Sequence, residues 1–131
     1  MADERQILEE HGIQASAQRV AIAEYVFHTD AHPSADQIFS AVKSRFPVVS
    51  RATVYNTLNL FVEKGLLRQL TLAEGKVVFD PKTAPHHHFI DEESGRILDV
   101  EWDRVEVCNL EQLDELDVRD YQVVMRGRLK H

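Results

Sequence analysis

Three segments with helical apolar spacing, two short aliphatic runs after them and a strand-rich C-terminal third predict an α+β fold for this 131-residue chain. Their order predicts an N-terminal winged helix-turn-helix over residues 1–80, followed by a small α/β module over residues 81–131. An apolar fraction of 44% is ample for a packed core, and no apolar run approaches the ~20 residues that span a bilayer. The opening stretch MADERQILEEHG has neither a basic n-region nor an apolar h-region, so a cytoplasmic protein with no membrane partner is expected. The single cysteine, Cys108, excludes an intramolecular disulfide and any CxxC zinc knuckle; it reads as a buried or half-buried thiol.

The elements follow in order. Residues 3–10 are good helix formers and give a short N-terminal helix, ended by His11-Gly12. Ser16 caps a helix from Ala17 to about His28, with Val20, Ala21 and Tyr25 near helical spacing. In HPSADQIFSAVKSRFP, Ser34 and Gln37 form an S-x-x-Q capping box, Ile38, Phe39 and Val42 supply the buried stripe, and Pro47 closes the helix. A further helix begins at Ser50; Val54, Leu58, Phe61 and Val62 make its apolar face, and Gly65 ends it. The period then changes: LLRQLTL and KVVFD, separated by Ala-Glu-Gly, read as a β-hairpin.

Helices followed by a hairpin are the parts of a winged helix, whose last helix enters the DNA major groove. The exposed face of residues 50–60 offers Ser50, Arg51, Thr53, Tyr55, Asn56 and Asn59. Thr and Tyr can contact thymine methyls, Asn can pair with adenine, and Arg and Ser can hold phosphates. Taken alone, the same face also describes an ordinary solvated helix. The net charge of −7 argues against a global attraction to nucleic acid. The acidity is uneven, though: residues 1–80 carry 8 Lys+Arg against 10 Asp+Glu, and residues 81–131 carry 7 against 12. A DNA-binding surface in the first half would be a local patch.

The second half contains PHHHFIDEESG. Residues from Phe89 read as strand, Glu-Ser-Gly turn and strand; NLEQLDEL reads as a short helix with Asn109 as cap; YQVVMRGRL is a final strand. The strands are suited to pairing with a second subunit. On a strand, residues two apart share a face, so His86 and His88 project together and His87 faces away. Paired imidazoles with carboxylates suit iron, manganese or zinc, and Asp80 and Asp99 are the candidate carboxylates. A His-x-His pair on a solvated strand is the alternative reading.

These segments resemble the Fur family of metal-responsive transcription regulators. The resemblance spans roughly residues 10–128 and rests on SAQR (16–19), AHPSADQIF (31–39), SRATVYNTLNLF (50–61), KGLL (64–67), FD (79–80), HHH (86–88), the Gly95–Asp99 segment and Gly127. It implies a dimeric DNA-binding repressor, with residues 81–131 as dimerisation and metal-sensing module and a palindromic double-stranded operator as partner. It adds His32 to the regulatory metal site, giving His32, Asp80, His86, His88 and Asp99, and implies Fe²⁺ or Mn²⁺ as cofactor, with Zn²⁺ able to substitute. Arg19, in the SAQR stretch, joins Ser50, Arg51, Thr53, Tyr55 and Asn56 as an expected DNA contact. A ligand set split between two modules would fix their angle only with metal bound, coupling metal to DNA affinity.

The chain departs from the family pattern where most relatives carry two CxxC pairs for a structural zinc. Asp91 and Ser94 stand in place of the first pair and the sequence holds no second pair, so no structural zinc is expected. Asp99 rather than Glu, and Asn56 rather than Arg, resemble the peroxide-sensing PerR group, in which ferrous iron reacts with peroxide and a ligand His is oxidised. The missing cysteine pairs and TVYNTLN…GLLRQ…FD…HHH resemble the haem-sensing Irr group, although Cys108 lacks the following Pro of a haem motif. A second site is not expected, since DVRDYQVVM supplies no further His. Two other classes compete. Two His plus a carboxylate also describe non-haem iron enzymes, but no substrate module is evident and five ligands leave little open coordination, so no enzymatic activity is expected. A metal-buffering or protein-binding winged helix is allowed by the acidity and opposed by the Arg51/Tyr55/Asn56 face.

Overall fold

A computed structural model describes residues 3–72 and 75–130. The chain divides into two compact units, Met1–Thr83 and Ala84–His131.

The first unit holds four helices, α1 (Glu4–Glu10), α2 (Ala17–Val26), α3 (Ala35–Arg45) and α4 (Arg51–Glu63), then strands β1 (Arg68–Thr71) and β2 (Val77–Asp80). Each helix starts where its cap dictates. Asp3, Ser16, Ser34 and Ser50 all accept a backbone N–H from the first turn, and Ser34 with Gln37 completes a reciprocal capping box. Helix α2 stops at Val26, two residues short of the expected end, with Phe27 as its cap. Gly65 takes φ +79 directly after the cap of α4, where a side chain would be strained. Leu8, Ile22, Val26, Ile38, Val54, Leu58 and Phe61 are buried together with Phe79 of β2. Full burial stabilises side chains of this kind by about 2 kcal/mol each. Strands β1 and β2 pair antiparallel, Arg68 opposite Asp80 and Thr71 opposite Val77. Of the expected Ala-Glu-Gly turn, residues 73 and 74 lie outside the described residues.

The second unit is a three-stranded sheet in the order β4-β3-β5, from β3 (His86–Asp91), β4 (Ile97–Glu101) and β5 (Val124–Gly127). β3 pairs antiparallel with β4 and parallel with β5. Residues 92–94 turn between β3 and β4, and Gly95 leaves that turn at φ +77. The helix expected over NLEQLDEL is only a 3₁₀ turn, Leu110–Gln112, and Asn109 makes no cap bond but sits at φ 70. Residues 111–120 are all exposed, and an acidic segment this short has no buried face to stabilise a helix. Cys108 is exposed, not buried or half-buried, because it lies in the irregular stretch before that turn.

Candidate metal centre

The loop before α3 and the end of β2 bring two expected ligands together in the first unit. His32 has φ +52, a left-handed conformation uncommon for residues with a side chain. The Phe79 N–H donates to the Pro33 carbonyl at 2.9 Å, tying this loop to β2. The His32 Nε2 then lies 3.2 Å from Asp80 Oδ2, with both side chains buried. A buried carboxylate needs a charge or donor beside it, and Asp80 also accepts the Lys82 N–H at 2.9 Å.

The second unit assembles the other three. His86 and His88 share one face of β3, their rings 4.5 Å apart. His88 is directly opposite Asp99 in the β3–β4 register, so their side chains leave the sheet on the same side. Asp99 Oδ1 is 3.3 Å from His86 Nε2 and 3.6 Å from His88 Nε2. Each ring is held from behind: Nδ1 of His86 donates to the Ala84 carbonyl at 2.7 Å, and Nδ1 of His88 to Gln122 Oε1 at 2.8 Å. With the proton on Nδ1, a neutral imidazole presents its Nε2 lone pair, and both lone pairs belong to the Asp99 side. One ligand atom from each of the three residues falls within 4.8 Å of the others. Two oriented imidazoles and a carboxylate fit a divalent first-row metal, and an anchored distal nitrogen is the usual support of a ligating histidine.

His87 points the other way. Its ring stacks on Trp102 at 4.5 Å, and Trp102 in turn meets Tyr121 at 4.8 Å. Its Nδ1 accepts the Val123 N–H at 2.9 Å, which puts the ring proton on Nε2. This histidine is built into the sheet, and its Nδ1 is committed to the backbone. At the β3–β4 turn, the Ser94 hydroxyl donates to Asp91 Oδ2 at 2.6 Å and holds the Asp91 carboxyl below its ordinary range. The residues standing where relatives carry the first cysteine pair thus close a turn with each other.

The expected DNA contacts lie on two faces of α4: Arg51 and Tyr55 meet Asp36 of α3, whereas Thr53 and Asn56 lie on the side of Arg19. Arg51, Tyr55 and Asn56 are exposed on α4, and Thr53 is half-buried. Ser50 and Thr53 already bond each other, hydroxyl to hydroxyl, at 2.8 Å within the cap of α4. Arg19 donates to the Gln14 carbonyl at 3.1 Å, and Gln14, Ser16, Arg19, Thr53, Asn56 and Thr57 line a cavity of about 340 Å³. Two residues escaped the sequence reading. Gln122 anchors His88 from 34 positions away, and Asp36 engages both Arg51 and Tyr55 from 15 and 19 positions away. Neither carries a local signal: an Asp in the first turn of a helix reads simply as a favourable dipole partner.

The profile of the ferric uptake regulator family matches residues 10–126. The peroxide operon regulator of Bacillus subtilis is 45% identical over 92 residues, which cover 70% of this chain and 63% of that protein. The peroxide-responsive repressor PerR of Staphylococcus aureus is 34% identical over 125 residues, covering 94% of this chain and 84% of that protein. The ferric uptake regulator of Pseudomonas aeruginosa, solved with manganese, shares the fold: 24% identity, TM-score 0.72, and full coverage of both chains. The haem-responsive alternative is not favoured by these relatives. The chain belongs to the ferric uptake regulator family, on its PerR-like branch, and is a transcription regulator.

Proposed function

We propose that the protein is a dimeric, iron-dependent DNA-binding repressor that responds to peroxide, with His32, Asp80, His86, His88 and Asp99 sharing one metal ion. The observation that carries this reading is the pair of imidazoles whose Nε2 atoms are turned to Asp99 by hydrogen bonds on the opposite nitrogens. The buried His32–Asp80 pair supplies the remaining donors, and peroxide-responsive relatives support the signal. Manganese in the Pseudomonas aeruginosa regulator supports Mn²⁺ as a second metal that this donor set accepts. Bound ferrous iron would supply the reaction with peroxide; the protein's part is to bind, to orient the imidazoles and to convert site occupancy into DNA affinity.

That conversion follows from where the donors come from. Two belong to the unit carrying α4 and three to the unit carrying the β3 sheet, so a shared ion links DNA-binding and dimerisation halves. In a dimer acting in the cytoplasm, two α4 helices would meet palindromic half-sites about one helical turn apart. Leu113, Leu116 and Val118 are exposed in the second unit, consistent with a surface that a second subunit covers. Arg19, Arg51, Tyr55 and Asn56 are the proposed DNA contacts, with Ser50 and Thr53 shaping the helix start. No structural zinc is included, since Asp91 and Ser94 offer no thiolate and Cys108 is the sole cysteine.

The test is titration of Mn²⁺ into wild-type protein and the His86→Ala variant, followed by DNA binding. Loss of a ligand is expected to weaken metal binding by at least about 100-fold, beyond the ~10–100-fold typical of outer partners, and to weaken DNA binding in parallel. Unchanged metal affinity in His86→Ala would exclude the proposed centre.

A further inference from the structure

We propose that Asp36 is a positioning residue for DNA reading: it holds Arg51 and Tyr55 of the recognition helix and suppresses non-specific attraction to phosphate. The proposal rests on the reading of α4 as the DNA-contacting helix.

Asp36 lies in the first turn of α3, and Arg51 and Tyr55 lie four residues apart on one face of α4. A single carboxylate oxygen, Asp36 Oδ1, accepts from Arg51 Nη1 and from the Tyr55 hydroxyl at 2.9 Å. The Arg51 guanidinium also stands over the Phe39 ring, 4.7 Å from its centre. The guanidinium is therefore held between a carboxylate and a ring face, and the tyrosine hydroxyl is assigned as a donor.

As a device for stability this arrangement is weak. Side-chain exposure is 67% for Asp36 and 59% for Arg51, and ion pairs this exposed add little to stability. Its consequence is larger for a polyanion. Non-specific binding is supplied by cations that release counterions from phosphate, and an Arg already neutralised by a carboxylate contributes little to it. Sequence is read by side chains of defined orientation at base edges, and Asp36 restricts both Arg51 and Tyr55. A carboxylate on a surface that must meet DNA costs affinity, and here it offsets that cost by raising the ratio of specific to non-specific binding. In a unit whose basic and acidic residues nearly balance, one released Arg changes the local field appreciably.

The experiment uses full-length, Mn²⁺-loaded wild type, Asp36→Asn and Asp36→Ala. A duplex selected by the wild type from a randomised library and a scrambled duplex of equal length are titrated across a KCl series. Asp36→Asn keeps an acceptor for Tyr55 and removes the charge that holds Arg51. Its binding to scrambled DNA is expected to tighten, its log–log salt slope to steepen by about one, and its specificity ratio to fall about tenfold. Asp36→Ala, which frees both side chains, is expected to lose more of the ratio. A shift in melting temperature with unchanged slope and ratio in both variants would show a structural role only and overturn the proposal. If the wild type selects no sequence at all, the assignment of α4 as the reading helix fails, and this proposal with it.

Discussion

What separates His86 and His88 from any other pair of strand histidines is the partner on the far nitrogen of each ring. The Ala84 carbonyl is a local contact that folding of β3 provides, whereas Gln122 reaches His88 from just before β5. Gln122→Ala should therefore leave the fold intact and loosen one ring. Metal affinity, read by competition with a chelator, is expected to fall about 10–100-fold, the range for lost outer partners. An unchanged affinity would mean that strand geometry alone orients His88. The pairing of His86 with His88 was legible from period-two alternation, and so was the opposite facing of His87. Gln122 was not, because sequence patterns report faces of an element and not which distant side chain meets them. Asp36 was hidden for the same reason, and the left-handed His32 becomes evident only once its backbone is seen.

The helices behave as their caps and stripes dictate, and α4 shows why this bears on function. Ser50 accepts the Thr53 N–H at 3.1 Å and its hydroxyl donates to Thr53 Oγ1, so both side chains define where the helix starts. Ser50→Ala is expected to cost about 1 kcal/mol of stability, seen as a fall of roughly 4 °C in melting temperature. No change would place Ser50 outside the cap. Capping signals and apolar spacing located the helices of the first unit to within two residues, since both are local. The same logic misjudged NLEQLDEL, where Leu113 and Leu116 are exposed among Glu111, Asp114, Glu115 and Asp117. Spacing describes a face, and a helix forms only when that face is buried.

For the whole molecule, a net charge of −7 argues against a global attraction to nucleic acid, so a DNA-binding surface on the first unit would be a local patch. On the proposed reading, control would come from the arrangement of two α4 helices in a dimer, and an ion shared by the proposed ligands would make that arrangement depend on metal. No helix among the described residues is long and apolar enough to cross a membrane. The direct measurement is binding of a library-selected duplex by apo protein reconstituted separately with Fe²⁺ and Mn²⁺, before and after a pulse of hydrogen peroxide. Both metals are expected to restore binding of the apo protein, and peroxide to abolish it with Fe²⁺ while leaving the Mn²⁺ form bound. Binding that needs no metal, or that survives peroxide equally with either ion, would contradict an iron-dependent peroxide sensor.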